Sequence, residues 1–205
     1  MFNIKRILKV IMEGKHEEML GEVIEIARAD YPELPYHNFA HGMDVWNTAR
    51  QYAKMAGIGG EERFALETAA VLHDVIVIPE RTDNELESAM YAADRLPDFG
   101  YSIDQTTRVG EIIVATVMPQ DPKDLSGRII CDADLGQLGR PDFLKRSENL
   151  REEWDKPHNL EWLEGQVAFL EGHKYHTDIA RRLRDPGKAR NVELVKGLIR
   201  NYKKK

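Results

Sequence analysis

The spacing of apolar residues constrains the fold of this chain more than any other feature of its sequence. Apolar side chains recur at intervals of three and four, for example in 19–27 and 64–72, and this spacing is typical of amphipathic helices. No stretch longer than four residues is explained better by a strand than by a helix. The apolar run 75–78 is ambiguous, and we interpret it as the continuation of a helix that ends near Pro79. The sequence therefore predicts an all-α fold of roughly eight to ten helices.

Glycines, prolines and short polar residues predict where these helices begin and end. We expect Gly14 to separate a first helix, residues 2–12, from a second helix that ends before Pro32. The triplet 132–134 is expected to start a short helix that closes near Gly139. Two separate helices are predicted at the carboxyl end, over 177–183 and 193–202. The predicted starts of other helices are Asn38 or Phe39, Thr82 or Asp83, Ser102 and Pro141.

Length and charge limit the possible classes of protein. With 205 residues, of which 42% are apolar, the chain has the size and composition of one globular domain. We expect a single domain over residues 1–205, with a core at about 30–200 and the helices of 1–30 packed on it. Lys and Arg number 29 against 35 Asp and Glu, so the net charge is −6. This balance argues against a nucleic acid polymer as a partner, because phosphate binding needs a basic surface.

Cysteine and apolar content bear on the compartment. Cys131 is the only cysteine, so no intramolecular disulfide can form, and a reducing compartment is the natural interpretation. The first fifteen residues lack the long apolar core of a signal peptide. No run of about 18 apolar residues exists, so we expect no membrane span. The basic N-terminal helix is interpreted as solvated rather than as a membrane anchor. The expected location is the cytoplasm.

One dipeptide stands out against this helical background. His73 and Asp74 lie side by side between the apolar runs 64–72 and 75–78. Burying a carboxylate there is costly unless a partner compensates its charge, as a divalent cation would. Adjacent helical residues point about 100° apart, so both side chains can face one ion only from a helix rim or a last turn. The alternative is that Asp74 hydrogen-bonds a nearby backbone group at a helix end.

Two further stretches carry possible metal ligands in apolar or small-residue surroundings. His37 and His41 lie upstream in YHNFAHGMDV, and Asp132 and Asp134 lie downstream in CDADLGQLG. These separations allow different helices to meet at one point. Two imidazoles and two carboxylates suit Mn²⁺, Fe²⁺, Co²⁺, Ni²⁺, Zn²⁺ or Mg²⁺. Such an ion lowers the pKa of water and neutralises phosphoryl oxygens, which is the minimum that phosphate-ester hydrolysis needs.

The ordered set His41, His73-Asp74 and Asp134 resembles the HD-domain superfamily of metal-dependent phosphohydrolases. The segments YHNFAHGMDV, LHDVIVIP, NELESA and CDADLGQLG are similar to a small bacterial branch of predicted HD phosphohydrolases. YHNxxH is also similar to the cyclic nucleotide phosphodiesterases. The likeness covers roughly residues 30–200. It implies a helical bundle of HD type with a metal ion held by His41, His73, Asp74 and Asp134, while Asp132 supports the ligands or caps a helix.

The resemblance also implies roles for two residues that are not metal ligands. His37 matches the phosphodiesterase histidine that protonates the leaving group, and Glu85 lies where related proteins carry an acid near the attacking water. Simpler interpretations remain, since His37 can be a helix-entry histidine bonded to backbone and Glu85 a first-turn helix acid. The candidates for binding phosphate, for each of which a solvated side chain is the simpler interpretation, are Arg81, Lys123, Arg128, Arg140 and Arg151.

The sequence departs from the phosphodiesterase pattern at the second metal. Those enzymes have further histidine ligands, and related branch members often have a histidine where this chain reads IIVATVMPQDP. His173 and His176 lack an acidic or thiolate neighbour in a suitable context, so we interpret them as surface or core histidines. Cys131 is expected to be a buried small apolar residue. We therefore expect one divalent metal ion rather than two.

These observations lead to a primary hypothesis and to alternatives. The primary hypothesis is a metal-dependent phosphohydrolase, a phosphomonoesterase or phosphodiesterase, that acts on a nucleotide or a related small-molecule phosphate ester. Because the second set of ligands is missing, the alternative is a catalytically degenerate HD module that binds a metal ion and a nucleotide, or a protein partner, as a sensor. A purely structural helical adaptor is a third, weaker possibility.

Overall fold

Helices account for all the regular secondary structure that the structure, a computed structural model, describes in residues 4–79 and 81–204, with side chains from residue 10 onward. The α-helices are α1 (Ile4–Asp30), α2 (Phe39–Ala56), α3 (Gly60–Leu72), α4 (Asn84–Arg95), α5 (Ile103–Val114), α6 (Leu125–Asp134), α7 (Phe143–Glu153), α8 (Leu160–Gly172) and α9 (Asp178–Tyr202). Two short 3₁₀ helices span Leu96–Phe99 and Leu135–Gly139. The predicted all-α class is confirmed.

Local capping explains why several helices begin where the sequence predicts. The side chain of Asn38 accepts hydrogen bonds from the backbone N–H groups of Ala40 and His41 at the start of α2. Ser102 and Gln105 form a reciprocal capping box at the start of α5. Asp83 precedes α4 as predicted, but its side chain makes no capping bond. The α2 helix ends at Gly57, whose φ of 75° lies in the left-handed region that glycine adopts without strain.

Two predicted helix breaks are wrong. The helix α1 continues through Gly14, so residues 4–12 and 19–27 belong to one helix; residues 2 and 3 of the first predicted helix lie outside the described residues. A single helical glycine costs only about 1 kcal/mol relative to alanine, which long flanking segments can overcome. Similarly, α9 runs through Pro186, so 177–183 and 193–202 are parts of one helix rather than two.

The segment after α3 also differs from the prediction. The helix ends at Leu72, and residues 75–78 are not a helical continuation. The hydroxyl of Ser88 on α4 accepts a hydrogen bond from the backbone N–H of Ile76 and donates one to the carbonyl of the same residue. The Asn84 side chain pairs in the same way with the backbone of Ile78. These side-chain bonds replace the helical hydrogen bonds and hold an irregular segment beside the start of α4.

The triplet 132–134 ends a helix rather than starting one. It forms the last turn of α6, which Asp124 caps at the other end by accepting a hydrogen bond from the N–H of Gly127. The following 3₁₀ helix closes at Gly139, near the predicted position. Asp134 is therefore the last residue of a helix.

The apolar residues divide into a large and a small cluster. The large one joins α1 to α6 and includes Tyr52, Leu66, Leu72, Ile112 and Ile129, all fully buried. The small one joins the 3₁₀ helix at 135–139 to α7, α8 and α9. The residues predicted to bind metal lie at the edge of the large cluster, on the side that faces α7 and α8.

Candidate metal centre and cleft

Three helix ends bring the predicted metal ligands together. His41 lies in the first turn of α2, and His73 and Asp74 lie in the turn that ends α3. Asp134 is the last residue of α6. Tyr31, at the end of α1, donates a hydrogen bond of 3.0 Å from its hydroxyl to the carbonyl of Val71, which holds the end of α3 in place. The His73-Asp74 pair thus occupies a last turn, where adjacent residues can face one point.

The ligand atoms of these four residues lie within 4.8 Å of one another. The Nε2 atom of His41 is 3.3 Å from Asp74 Oδ2 and 3.2 Å from Asp134 Oδ1. The corresponding distances from His73 Nε2 are 3.0 and 3.6 Å. Asp74 faces these imidazoles instead of the backbone group of the alternative interpretation. His73 is fully buried, whereas the Asp134 side chain is 18% exposed, so the cluster opens on the Asp134 side.

The two histidines present the chemistry that a metal site needs. His73 Nδ1 lies 3.1 Å from the carbonyl of Ala70, so it donates its proton there and leaves Nε2 as the nitrogen that could bind an ion. The Nε2 atoms of His41 and His73 are both buried and have no hydrogen-bond partner of acceptable geometry. Buried polar atoms are rarely left without a partner. The cluster therefore fits a divalent ion, and it could hold one.

The charged groups of the cluster shift one another's pKa values. Burial favours the neutral forms of His73, Asp74 and Asp134, but the opposite charges close by outweigh its effect on their pKa values. The pKa of Asp74 falls well below its ordinary value because of His73 and His41, and the pKa of Asp134 falls to about 2 for the same reason. The pKa of His73 rises well above its ordinary value because of the two carboxylates. Two anionic oxygens facing two imidazole nitrogens form a donor set for a cation.

A cleft of about 1060 Å³ leads away from Asp74 and Asp134. Its lining comes from the segments beside α4, from the 3₁₀ helix at 135–139, and from one face each of α7 and α8. The α7 and α8 side chains recur at helical spacing, and they include Phe143, Ser147, Leu150, Trp154, Trp162, Gln166 and Phe169. The size of the cleft suits a small organic molecule.

His37 lines this cleft and forms a close pair with a residue that sequence reasoning missed. Its Nδ1 bonds to Glu153 Oε1, while Glu153 Oε2 accepts the backbone N–H groups of Tyr36 and His37, each at 2.9 Å. Burial lowers the pKa of His37, but Glu153 and the two aspartates raise it more, and the pKa of Glu153 is lowered in turn despite burial. Glu153 follows Leu150 by three positions on the cleft face of α7, and a carboxylate on that face was the available sequence signal.

The remaining predicted residues are distributed unevenly. Glu85 lies in the first turn of α4 and lines the cleft, but it is not part of the four-residue cluster. Its pKa is raised by burial and by the charges of Asp74 and Asp134. Of the candidate phosphate-binding cations, Arg81 lines the cleft and bonds to Asp83 and Glu87. The others do not belong to the described lining, namely Lys123, Arg128, Arg140 and Arg151.

Asp132 is fully buried and connects two helices through hydrogen bonds. Its carboxylate accepts the backbone N–H of His176 at 2.6 Å and that of Thr177 at 2.8 Å, together with the Thr177 hydroxyl at 2.7 Å. Thr177 in turn caps α9. Asp132 therefore joins the end of α6 to the start of α9, two residues before Asp134, and it supports the position of that ligand.

His173 and His176 form no second metal cluster among the described residues, where the group of four is the one set found. The Nε2 of His173 is buried without a partner, and Lys188 lies against its Nδ1 at 3.5 Å. The Nε2 of His176 lies 3.4 Å from Gln120 Oε1. Cys131 is buried, as predicted, with its thiol 3.0 Å from the carbonyl of Ala115.

Comparison with known proteins supports the fold but not a specific activity. No family model matches the chain, and no curated protein matches it. Among solved structures, the crystal structure of Bacillus subtilis YpgQ in complex with ADP superposes with a TM-score of 0.70 over 91% of this chain and 96% of that one. The identity is 17%, so the likeness shows a shared helical fold. Every described helix of this chain is too short or too polar to span a lipid bilayer.

Proposed function

We propose that the protein is a metal-dependent phosphohydrolase that hydrolyses a nucleotide or a related small-molecule phosphate ester with a water activated by the ion. The observation that carries the proposal is the set of two buried, unpartnered imidazole nitrogens facing two carboxylates at the mouth of a ligand-sized cleft. The sequence resemblance to HD phosphohydrolases supports it. So does the fold shared with a protein whose crystal structure contains ADP.

His41, His73, Asp74 and Asp134 would hold one divalent ion, of Mn, Fe, Co, Ni, Zn or Mg. When bound, such an ion lowers the pKa of a water molecule and neutralises charge on the phosphoryl oxygens. Other groups position the side chains that would hold the ion. The Ala70 carbonyl fixes the tautomer of His73, and Asp132 fixes the helix end that carries Asp134.

His37 is proposed as the general acid. Glu153 holds its Nδ1, which orients the ring and leaves Nε2 as the nitrogen that can meet a ligand in the cleft. The raised pKa of His37 keeps the imidazole protonated nearer to neutral pH than an isolated histidine would be. A proton held on Nε2 can pass to the leaving oxygen of a phosphate ester.

Glu85, which lines the same cleft as His37, is proposed to accept a proton from the attacking water. It is partly buried, and its pKa is raised by burial and by nearby carboxylates, which makes it a better base than an exposed glutamate. Its position in the first turn of α4 beside the irregular segment 75–78 brings it into the same cleft as Asp74.

A sensor without turnover is the second candidate. The described residues contain one possible metal cluster, and the second set of histidine ligands that phosphodiesterases use has no counterpart in it. Calorimetry with a nucleotide panel distinguishes the two, because tight binding without product over hours is expected of a sensor.

The proposed function is tested with Asp74→Asn and with Asp94→Asn, a matched change at an exposed position of α4. We expect wild type and Asp94→Asn to retain about one metal ion per chain after dialysis and to hydrolyse a phosphate ester in a phosphatase and phosphodiesterase screen. Asp74→Asn should lose the metal and at least about 100-fold in activity, since even residues that merely support ligands are worth 10–100-fold. Equal activity in wild type and Asp74→Asn would remove the proposal.

A further inference from the structure

The charged side chains that line the cleft limit the number of phosphoryl groups that a bound ligand can carry. Five carboxylates line it, on Asp74, Glu85, Asp134, Glu153 and Glu161. Against them stand three Arg and Lys side chains among the described lining residues, together with His37, which when protonated offsets the charge of Glu153. A cleft built for a polyphosphate needs an excess of cations or main-chain donors, because each additional phosphate adds negative charge.

Two of the three Arg and Lys side chains of the lining are already neutralised. Arg81 bonds to Asp83 at 2.6 Å and to Glu87 at 2.6 Å. Arg146 pairs with Asp44 at 3.0 Å and with Asp142 at 3.1 Å. Among the described lining residues, the third cation, Lys156, pairs its ammonium group with no carboxylate, and it lies in the exposed loop between α7 and α8. A single ion at the four-residue cluster would offset the charges of Asp74 and Asp134, so it would leave no surplus of positive charge for phosphoryl groups beyond the one that it contacts.

The rest of the cleft is aromatic. Trp154 and Trp162 meet edge to face with ring centroids 6.3 Å apart, and Trp154 is 47% exposed. Phe169, which also lines the cleft, is 39% exposed. Large aromatic side chains that remain accessible in a concave site favour a flat, apolar ligand group. Gln166 adds a polar group on the same wall, where its Oε1 accepts the hydroxyl of Ser147 at 2.9 Å.

We infer that the ligand carries a single phosphoryl group, esterified to an alcohol that bears an aromatic ring. The phosphoryl group lies at the four-residue cluster, and the ring packs against Trp154 and Trp162. This inference rests on the proposed function for its chemistry, but the selection against additional phosphates follows from the charges of the cleft and holds for binding as well as for turnover.

The experiment compares AMP, ADP and ATP, with ribose 5-phosphate as the ligand that lacks the ring. Protein is loaded with one equivalent of Mn²⁺ and freed of excess metal, so that the nucleotides are not chelated, and the bound metal is measured afterwards. We expect both kcat/KM and the calorimetric association constant to be highest for AMP and about tenfold lower for ADP, since one uncompensated charge at this range is worth about that factor. Ribose 5-phosphate should be at least about tenfold weaker than AMP.

A charge reversal gives an independent readout. Glu161→Lys, on the cleft, should raise the ratio of ADP to AMP association constants roughly two- to fivefold. Glu164→Lys places the same change on α8 outside the described lining and should leave that ratio unchanged.

Stronger binding or faster turnover of ATP than of AMP overturns the inference while leaving the phosphohydrolase intact. Turnover of none of these ligands removes the enzyme but not the inference, provided that AMP still binds more tightly than ADP. Binding of none of them overturns the inference.

Discussion

The contact between His37 and Glu153 is the most informative single-residue feature of the cleft. Glu153 donates no proton to a ligand in the proposed role; it positions His37 and raises its pKa. Glu153→Gln should therefore lower kcat by about 10–100-fold and shift the alkaline limb of the pH–rate profile to lower pH. The sign follows because activity needs protonated His37, and removing the carboxylate charge lowers the pKa at which that proton is lost.

The matched control for this change is Glu152→Gln, at the exposed neighbouring position of α7. It should leave both kcat and the pH–rate profile as in wild type. An effect of Glu153→Gln on kcat with no displacement of the alkaline limb would show that Glu153 only supports the fold of the loop at 36–37. The proposed positioning role would then be wrong.

The lowered pKa of His173 predicts that the protein becomes less stable in acid. Burial and the charge of Lys188 lower the pKa of His173 to about 4, from an ordinary value of 6.5. Between these values the unfolded chain binds more protons than the folded one, so the free energy of unfolding should fall as the pH falls from 6.5 towards 4. The loss assigned to this residue is roughly 1–3 kcal/mol at pH 4. Urea unfolding of wild type and His173→Phe across this range tests it, and curves that stay parallel contradict it.

At the residue scale, the sequence predicted a set of four side chains that the structure brings together, but not all their partners. His41, His73, Asp74 and Asp134 are chemically distinctive in apolar surroundings, and their motifs resemble a known family. Glu153 lies in the charged stretch ENLREEWDKP, where its spacing from Leu150 is the one local signal that sets it apart from the other glutamates. Its contact with His37 forms only when α7 packs against the loop before α2. These segments are more than a hundred residues apart, so a local sequence pattern does not predict the contact.

At the scale of elements, the contact of α9 with the 3₁₀ helix at 135–139 is set by two glycines. A Cβ atom on Gly187 would lie 1.9 Å from the carbonyl oxygen of Gly139, and a Cβ on Gly139 would lie 2.4 Å from that of Arg184. Asn191 adds hydrogen bonds to the carbonyls of Leu138 and Arg140. This close packing lets α9 continue through Pro186, since the interactions on either side offset the roughly 3 kcal/mol that an interior proline costs.

We therefore expect Gly187→Ala to destabilise the protein by roughly 1–3 kcal/mol or more, because the backbone carbonyl of Gly139 cannot move aside as a flexible side chain would. Gly197→Ala, on the same helix, would place its Cβ 3.7 Å from the end of the Arg200 side chain. It should stabilise the protein by up to about 1 kcal/mol, the difference in helix propensity. Denaturant unfolding of both variants checks the pair, and equal effects of the two changes would contradict the close contact.

The boundaries that the sequence missed share one physical cause. Gly14 and Pro186 each weaken a helix locally, yet α1 and α9 continue through them because of packing. The run 75–78 suits a helix locally, yet it is not helical in the folded protein. Side-chain bonds from Ser88 and Asn84 hold residues 75–78 outside a helix, and those bonds exist only once α4 has packed beside them. Helix starts were predicted better, because a cap such as Ser102 acts on its own next turn.

On the scale of the whole molecule, the metal cluster lies where separate parts of the large core converge. The start of α2, the end of α3 and the end of α6 each supply ligands, while Asp132 and Thr177 connect the same place to α9. Unfolding separates all of these segments along the chain. An ion held by the four side chains therefore binds the folded protein far more tightly than the unfolded chain, and its binding free energy adds to stability.

Removal of the metal should therefore lower the melting temperature of the whole protein. At a free ion concentration about 100 times the Kd, binding contributes about 2.7 kcal/mol, which for a chain of this size corresponds to roughly 5–10 °C. Thermal melts of wild type with Mn²⁺ and with a chelator measure the difference. Asp94→Asn should show the same difference, and Asp74→Asn should show almost none, because its cluster lacks one of the two carboxylates that face the imidazoles. A wild-type melting temperature that neither added ion nor chelator changes would mean that the four side chains hold protons, and no metal, in the folded protein.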